Sequence, residues 1–133
     1  MPGTWDASIK RLYFADDKTD YTADTLEVGK DYDLVADIEI GASLNGFAGG
    51  DRLVITVTNL TTNAVVETKT VPRPLTPVGS VRREQVTVDF GPLDGVTVSD
   101  GDVLQATCSY RVSAGVNSDY DTAQSGPAIA VSP

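Results

Sequence analysis

The sequence predicts an all-β fold in which antiparallel strands pack as two layers. Three observations predict it. Along 102–112 the chain alternates: Leu104, Ala106, Cys108, Tyr110 and Val112 share one face, while Val103, Gln105, Thr107, Ser109 and Arg111 take the other. That two-residue period belongs to a strand with one face on a core. The alternation recurs in Tyr32, Leu34, Ala36, Ile38, Ile40, in Leu53, Ile55, Val57, and in Val86, Val88, Phe90. Finally, no segment sustains a helical period, and clusters of Gly, Pro, Asn and Asp separate the short apolar runs, as in sandwiches and barrels.

In chain order, the first strand is predicted over 4–14, with a second piece at 25–28. Gly29-Lys30 turns the chain into 31–40. The strand at 52–59 returns through the polar turn Leu60-Thr61-Thr62-Asn63 into 64–71, and 81–90, 102–112 and 127–131 complete the set. Three connections are longer. The segment 41–50 carries four glycines around Asn45 and Phe47. The segment 72–80 holds Pro72, Pro74 and Pro77, which lack the amide a ladder requires, so a stiff excursion is expected there. The segment 113–126 is polar and contains Asp119-Tyr120-Asp121. With 133 residues and neither repeat nor linker, residues 1–133 are expected to form one domain.

Composition limits the partners. The net charge is −9 and histidine is absent, which argues against a nucleic-acid surface and against attraction to anionic membranes. No apolar run is long enough to span a bilayer. Met1-Pro2-Gly3-Thr4-Trp5 has no basic region followed by an apolar stretch, so the chain reads either as a protein working without Sec-type export or as a mature domain. Cys108, the one cysteine, falls on the apolar face of its strand and is expected to be a buried hydrophobe.

If successive strands reverse direction, 41–50, 72–80 and 113–126 emerge at one pole, and 15–31, 60–63 and 91–101 at the other. Charge follows this division. Asp16, Asp17, Asp20, Asp24, Glu27, Asp31, Asp33, Asp94, Asp100 and Asp102 gather at the second pole against Lys18 and Lys30. Arg52, Lys69, Arg73, Arg82, Arg83 and Arg111 fall at or near the first, tempered by Asp51, Glu84, Asp119 and Asp121.

The stretch Leu26-Glu27-Val28-Gly29-Lys30-Asp31-Tyr32-Asp33-Leu34-Val35-Ala36-Asp37-Ile38 resembles the opening of bacterial immunoglobulin-like modules: an apolar residue, a glycine turn, then an alternating strand. Ser99-Asp100-Gly101-Asp102-Val103-Leu104-Gln105-Ala106-Thr107-Cys108 resembles the turn into a later strand of the same modules. The chain departs from antibody-type domains in having no second cysteine and no tryptophan in 52–59. The resemblance therefore implies a disulfide-free immunoglobulin-like or fibronectin-like antiparallel β-sandwich of about seven or eight strands. Small sandwiches of this kind resemble accessory proteins of tailed-phage virions, such as capsid decoration or tail proteins.

Catalytic chemistry is poorly provided for. Without histidine, Ser-His-Asp and Cys-His schemes are excluded within one chain, and zinc lacks its usual ligands. Calcium takes oxygen ligands, and Asp16-Asp17-Lys18-Thr19-Asp20 and Asp119-Tyr120-Asp121 are the candidate sources. Neither follows an EF-hand pattern, so solvated acidic turns are expected, with no metal and no cofactor. Asn59-Leu60-Thr61 matches a glycosylation sequon by chance. Trp5, Tyr13, Phe14, Tyr32, Phe90 and Tyr110 are expected in strands, packed in the core, while Phe47 and Tyr120 fall in long loops.

The resulting expectation is a non-enzymatic accessory module on a virion, docking on a capsid or tail protein lattice. Phe47, Arg73, Arg82, Arg83 and Tyr120 are the candidate docking residues, since arginine and aromatics favour interfaces. A homo-oligomer through an exposed edge strand is a further expected association. The alternative is a cell-surface or secreted adhesion or carbohydrate-binding module.

Overall fold

A computed structural model describes residues 4–133. Met1, Pro2 and Gly3, from which the N-terminal reading begins, lie outside the described residues. The elements are β1 (Ala7–Asp16), β2 (Thr25–Glu27), β3 (Tyr32–Ile40), α1 (Ala42–Asn45), β4 (Gly50–Asn59), β5 (Ala64–Pro74), β6 (Arg82–Phe90), β7 (Val103–Ser113), β8 (Asp119–Gln124) and β9 (Ala128–Val131). One sheet has the order β1-β3-β6; the other runs β2-β9-β7-β4-β5, with β8 also paired to β7. All pairings are antiparallel except β2 with β9. The fold is an immunoglobulin-like β-sandwich.

The predicted alternation sets the core. Tyr32, Leu34, Ala36, Ile38 and Ile40 of β3 face inward with Leu12, Phe14, Val86, Val88 and Phe90. Against them pack Leu53, Ile55 and Val57 of β4 and Leu104, Ala106, Cys108, Tyr110 and Val112 of β7. Fully burying each of the larger side chains contributes about 1.5–3 kcal/mol against the cost of ordering it. Cys108 is buried as expected, and burial, with Asp121 nearby, pushes its thiol up to about 12.

Four local expectations need correction. First, β5 continues through Pro72 to Pro74. Both prolines are tolerated because β5 is an edge strand, hydrogen-bonded only to β4. Second, 113–126 contains a strand: β8 pairs Thr107–Val112 of β7, so Tyr120 sits on a strand rather than in a loop. Third, 41–50 includes the single helical turn α1. Fourth, Trp5 precedes β1 and is 46% exposed, while Tyr13 packs with Ala15 and Val35 in a small second cluster.

β1 is also an edge strand. Its amides at Ala7 and Ile9 donate to the carboxylates of Asp119 and Asp121 on β8, each at 2.8 Å. These carboxylates therefore cap an otherwise open sheet edge. Near the opposite end, Gly91 adopts φ +103, and a Cβ there would meet the Asp31 Cα at 2.8 Å. Only glycine fits that close approach.

Register places the loops as the alternating directions predict. Ile40 pairs Arg82, Gly50 pairs both Pro74 and Ser113, and Val112 pairs Asp119, so 41–49, 75–81 and 114–118 lie at one pole. Tyr32 pairs both Asp16 and Phe90, and Asn59 pairs both Ala64 and Leu104, which defines the acidic pole.

Candidate functional site

Main-chain hydrogen bonds join the apical loops into one tip. Gly49 donates to Ser113 at 3.0 Å, Leu75 to Gly49 at 3.2 Å, and Val78 to Asn45 at 3.0 Å. Leu44 donates to Thr4 at 2.9 Å, which brings the N-terminal segment onto the tip. Buried Asn45 donates to the Ser80 carbonyl at 2.9 Å. On this frame Phe47, 60% exposed, stacks on Trp5 with ring centroids 5.8 Å apart and planes 14° apart.

Below the tip lies a charge network. Asp51 is buried on β4 and faces Arg73 directly across the β4–β5 ladder. Arg73 grips it bidentately, Nε to Oδ1 at 2.8 Å and Nη2 to Oδ2 at 2.5 Å, and Tyr110 donates its hydroxyl to Oδ2 at 2.6 Å. Arg73 also donates to Glu84 at 2.8 Å. Arg82 donates to Glu84 at 2.7 Å, to Asn45 Oδ1 at 2.9 Å and to the Thr76 carbonyl at 2.9 Å. The hydrogen bonds to Asp51 raise the Arg73 pKa against the effect of desolvation. Burial, then the bond to Asp51, raises that of Tyr110, and the Arg82 and Arg73 guanidiniums lower that of Glu84.

The five predicted docking residues thus separate. Phe47 is an exposed anchor. Arg73 and Arg82 hold the apical end together, and a partner carboxylate would compete with Asp51 and Glu84 for them. Arg83 is exposed, with Glu39 at 3.3 Å. Tyr120 is 63% exposed on β8 and lies beneath the Arg111 guanidinium, 5.6 Å from its ring centroid.

Sequence reasoning did not single out Trp5, Arg52 and Arg111 as docking groups. Arg52 and Arg111 are directly opposite on β4 and β7, and Tyr120 is opposite Arg111 on β8. Among the described residues neither arginine has an ion pair, and the Nε of Arg111 is buried without a hydrogen-bond partner. Their outward positions in the alternating strands were the available signal. Further along the same face, Val54, Thr56, Thr107, Ser109, Thr122 and Gln124 line an open groove of about 510 Å³.

The acidic pole holds a second constellation. Asp33 on β3 lies opposite Asp89 on β6, and the 16–19 turn brings Asp17 to them. One oxygen from each carboxylate lies within 4.8 Å of the others. Asp33 is fully buried; the Lys18 amide donates to its Oδ2 at 2.8 Å, and its Oδ1 has no hydrogen-bond partner. Burial, then contact with Asp89, pushes its carboxyl up to about 6. Nearby, buried Asn59 donates to Asp102 at 2.8 Å and to the Thr97 carbonyl at 3.0 Å, so the sequon amide is enclosed within the fold. Hydrogen bonds from the Ser99 amide and Asn59 lower the pKa of Asp102.

No protein-family profile matches the chain, and no curated protein matches it in sequence. Among solved structures it is similar to the CARDB domain of the PF1109 protein from Pyrococcus furiosus, in complex with di-metal ions, with 12% identity and a TM-score of 0.42 over 95% of this chain and 86% of that one. It is similar to the sporulation control protein Spo0M from Bacillus subtilis, with 12% identity and a TM-score of 0.49 over 95% of this chain and 49% of that one. A β-glucosidase from Listeria innocua, in complex with gluconolactone, gives 11% identity and a TM-score of 0.41 over 91% of this chain and 16% of that one.

Proposed function

We propose that the chain is a non-enzymatic accessory module that docks on a protein lattice, as a decoration or tail-associated protein of a tailed-phage virion. The observation that carries the docking reading is the Trp5–Phe47 stack, exposed on a tip that main-chain hydrogen bonds hold rigid. Aromatic rings presented on a fixed frame bury large area on association at little entropic cost. Arg52 and Arg111, which form no ion pair among the described residues, add cationic groups on an acidic molecule, suited to carboxylates of a partner surface. The non-enzymatic part of the reading is supported by the chain's lack of histidine and by a thiol that is buried and held protonated. With the apical pole against the lattice, the acidic pole projects outward and keeps particles mutually repulsive.

A second reading, a cell-surface or carbohydrate-binding module, draws on the hydroxyl-lined groove beside Tyr120. Co-sedimentation distinguishes the two. Capsids and tails of the phage whose genome encodes the chain should pellet the purified domain, and Phe47→Ser or Arg111→Glu should weaken capture by at least about tenfold, the loss of one interface hot spot. Capture by a polysaccharide matrix, with the particles left bare, would overturn the docking proposal.

A further inference from the structure

We propose that Asp17, Asp33 and Asp89 form a calcium site at the acidic pole. Three carboxylates in proximity are by themselves an ordinary acidic surface; the distinguishing feature here is Asp33. Its side chain is completely enclosed, one oxygen is engaged by the Lys18 amide, and the other has no hydrogen-bond partner while the group faces two more carboxylates. A buried, unpartnered carboxylate oxygen is costly unless a positive charge satisfies it. The cations nearest in the fold are poorly suited. Lys69 is directed to Glu67 at 3.8 Å and to the face of Phe90, and Lys18 presents its main-chain amide.

Ligand chemistry favours calcium among the candidate ions. Calcium accepts oxygen ligands in a flexible geometry, whereas magnesium demands a near-ideal octahedron and gives up its waters reluctantly. The three carboxylates lie within 4.8 Å of one another, two on strands and one on a turn, an irregular arrangement that suits the more flexible ion. A cleft of about 140 Å³ opens beside them, lined by Asp17, Asp31 and Asp89 together with Lys18 and Lys69, and gives water access to complete the coordination shell. The ligand set is all oxygen, which disfavours zinc and copper. The ion would bind the 16–19 turn to both β3 and β6.

The test is thermal unfolding and calorimetric titration of the full chain, first stripped with EDTA and then exposed to calcium chloride up to about 10 mM, above the weakest calcium affinities of extracellular modules. Calcium should raise the midpoint and give a saturable one-to-one isotherm. Asp33→Asn and Asp89→Asn, verified as folded by circular dichroism, should lower the affinity at least about tenfold, while Asp20→Asn at the same pole keeps it. No midpoint shift in the wild type overturns the site. So does an equal shift in Asp33→Asn, or the same shift from magnesium at equal concentration, since each would indicate screening of the net negative charge.

Discussion

Asp51 and Asp33 are both buried aspartates on strands of the sandwich, one beneath each pole, and they are treated in opposite ways. Asp51 receives two hydrogen bonds from Arg73 and one from Tyr110. Asp33 receives one main-chain hydrogen bond and faces two further carboxylates. Removing a carboxylate from water costs several kcal/mol, and only a close counter-charge with well-aimed hydrogen bonds offsets it. At the apical pole the chain supplies that counter-charge, and the Arg73–Glu84–Arg82 network continues it into the loops that carry the aromatic stack. At the acidic pole the counter-charge has to come from a proton or a cation. The first arrangement is architecture; the second is sensitive to the solution around it.

Removing the counter-charge at Asp51 is the strongest way to break this contrast. Arg73→Ala leaves Asp51 buried with only the tyrosine hydroxyl, and should cost about 3–5 kcal/mol of folding stability. Urea denaturation measures it directly. Replacing Asp51 and Arg73 together with leucine should cost less than the single change, because no uncompensated charge remains. A loss below about 1 kcal/mol for Arg73→Ala would place Asp51 among ordinary surface ion pairs and dissolve the comparison.

At Asp33 the sign reverses. Its carboxyl is pushed up to about 6 from 3.8, so between those values the folded chain holds a proton that the unfolded chain releases. Its contribution to stability is therefore complete below about pH 4 and is lost as pH rises through about 6. In EDTA, Asp33→Asn should be more stable than the wild type at pH 7.5 by about 1–3 kcal/mol, and the gap should close toward pH 4. The groups facing Asp33 are Asp17 and the Lys18 amide from the 16–19 turn and Asp89 from β6, with Lys18, Asp31 and Lys69 around the adjoining cleft. Glu84 and Asp102, held below their usual range, act oppositely: their contribution is present at neutral pH and lost on acidification. They are common to both proteins and cancel in the difference. Parallel stability profiles across pH 4–7.5 would show that Asp33 is no more perturbed than a surface carboxylate.

The two environments differ in how far the sequence reveals them. The inward faces of β3, β4, β6 and β7 are legible because burial of one face imposes a two-residue period on each strand. β8 is not, because Asp119-Tyr120-Asp121-Thr122-Ala123-Gln124 is held by the β7 ladder and by carboxylates reaching β1, neither of which requires an apolar pattern. The Asp51–Arg73 pair is nearly legible. Counting register outward from the 60–63 turn sets Pro72 opposite Asp51, and the one-residue irregularity at Val57/Thr58 moves Arg73 into that place. The meeting of Asp33 with Asp89 depends on two strands that are neighbours in space but separated in sequence by two strands of the other sheet, a pairing no local pattern encodes. The acidic composition of that pole is visible from sequence; the burial of one of its carboxylates arises only when the 16–19 turn folds over the sheet.

The finest test separates charge from hydrogen bonding at Asp51. Tyr110→Phe removes the hydroxyl that donates at 2.6 Å but preserves the ring in the core and leaves Arg73 bidentate. Asp51 then loses a neutral donor while remaining neutralised, so the cost should be about 1.5–3 kcal/mol, the range for a hydrogen bond to a charged group. Combined with Arg73→Ala, the same change should cost more than it does alone, because the hydroxyl would then be the last side-chain donor to a buried carboxylate. A double-mutant cycle by urea denaturation measures that excess. Strict additivity would mean that Tyr110 and Arg73 stabilise Asp51 independently, and that water reaches the carboxylate once either is removed.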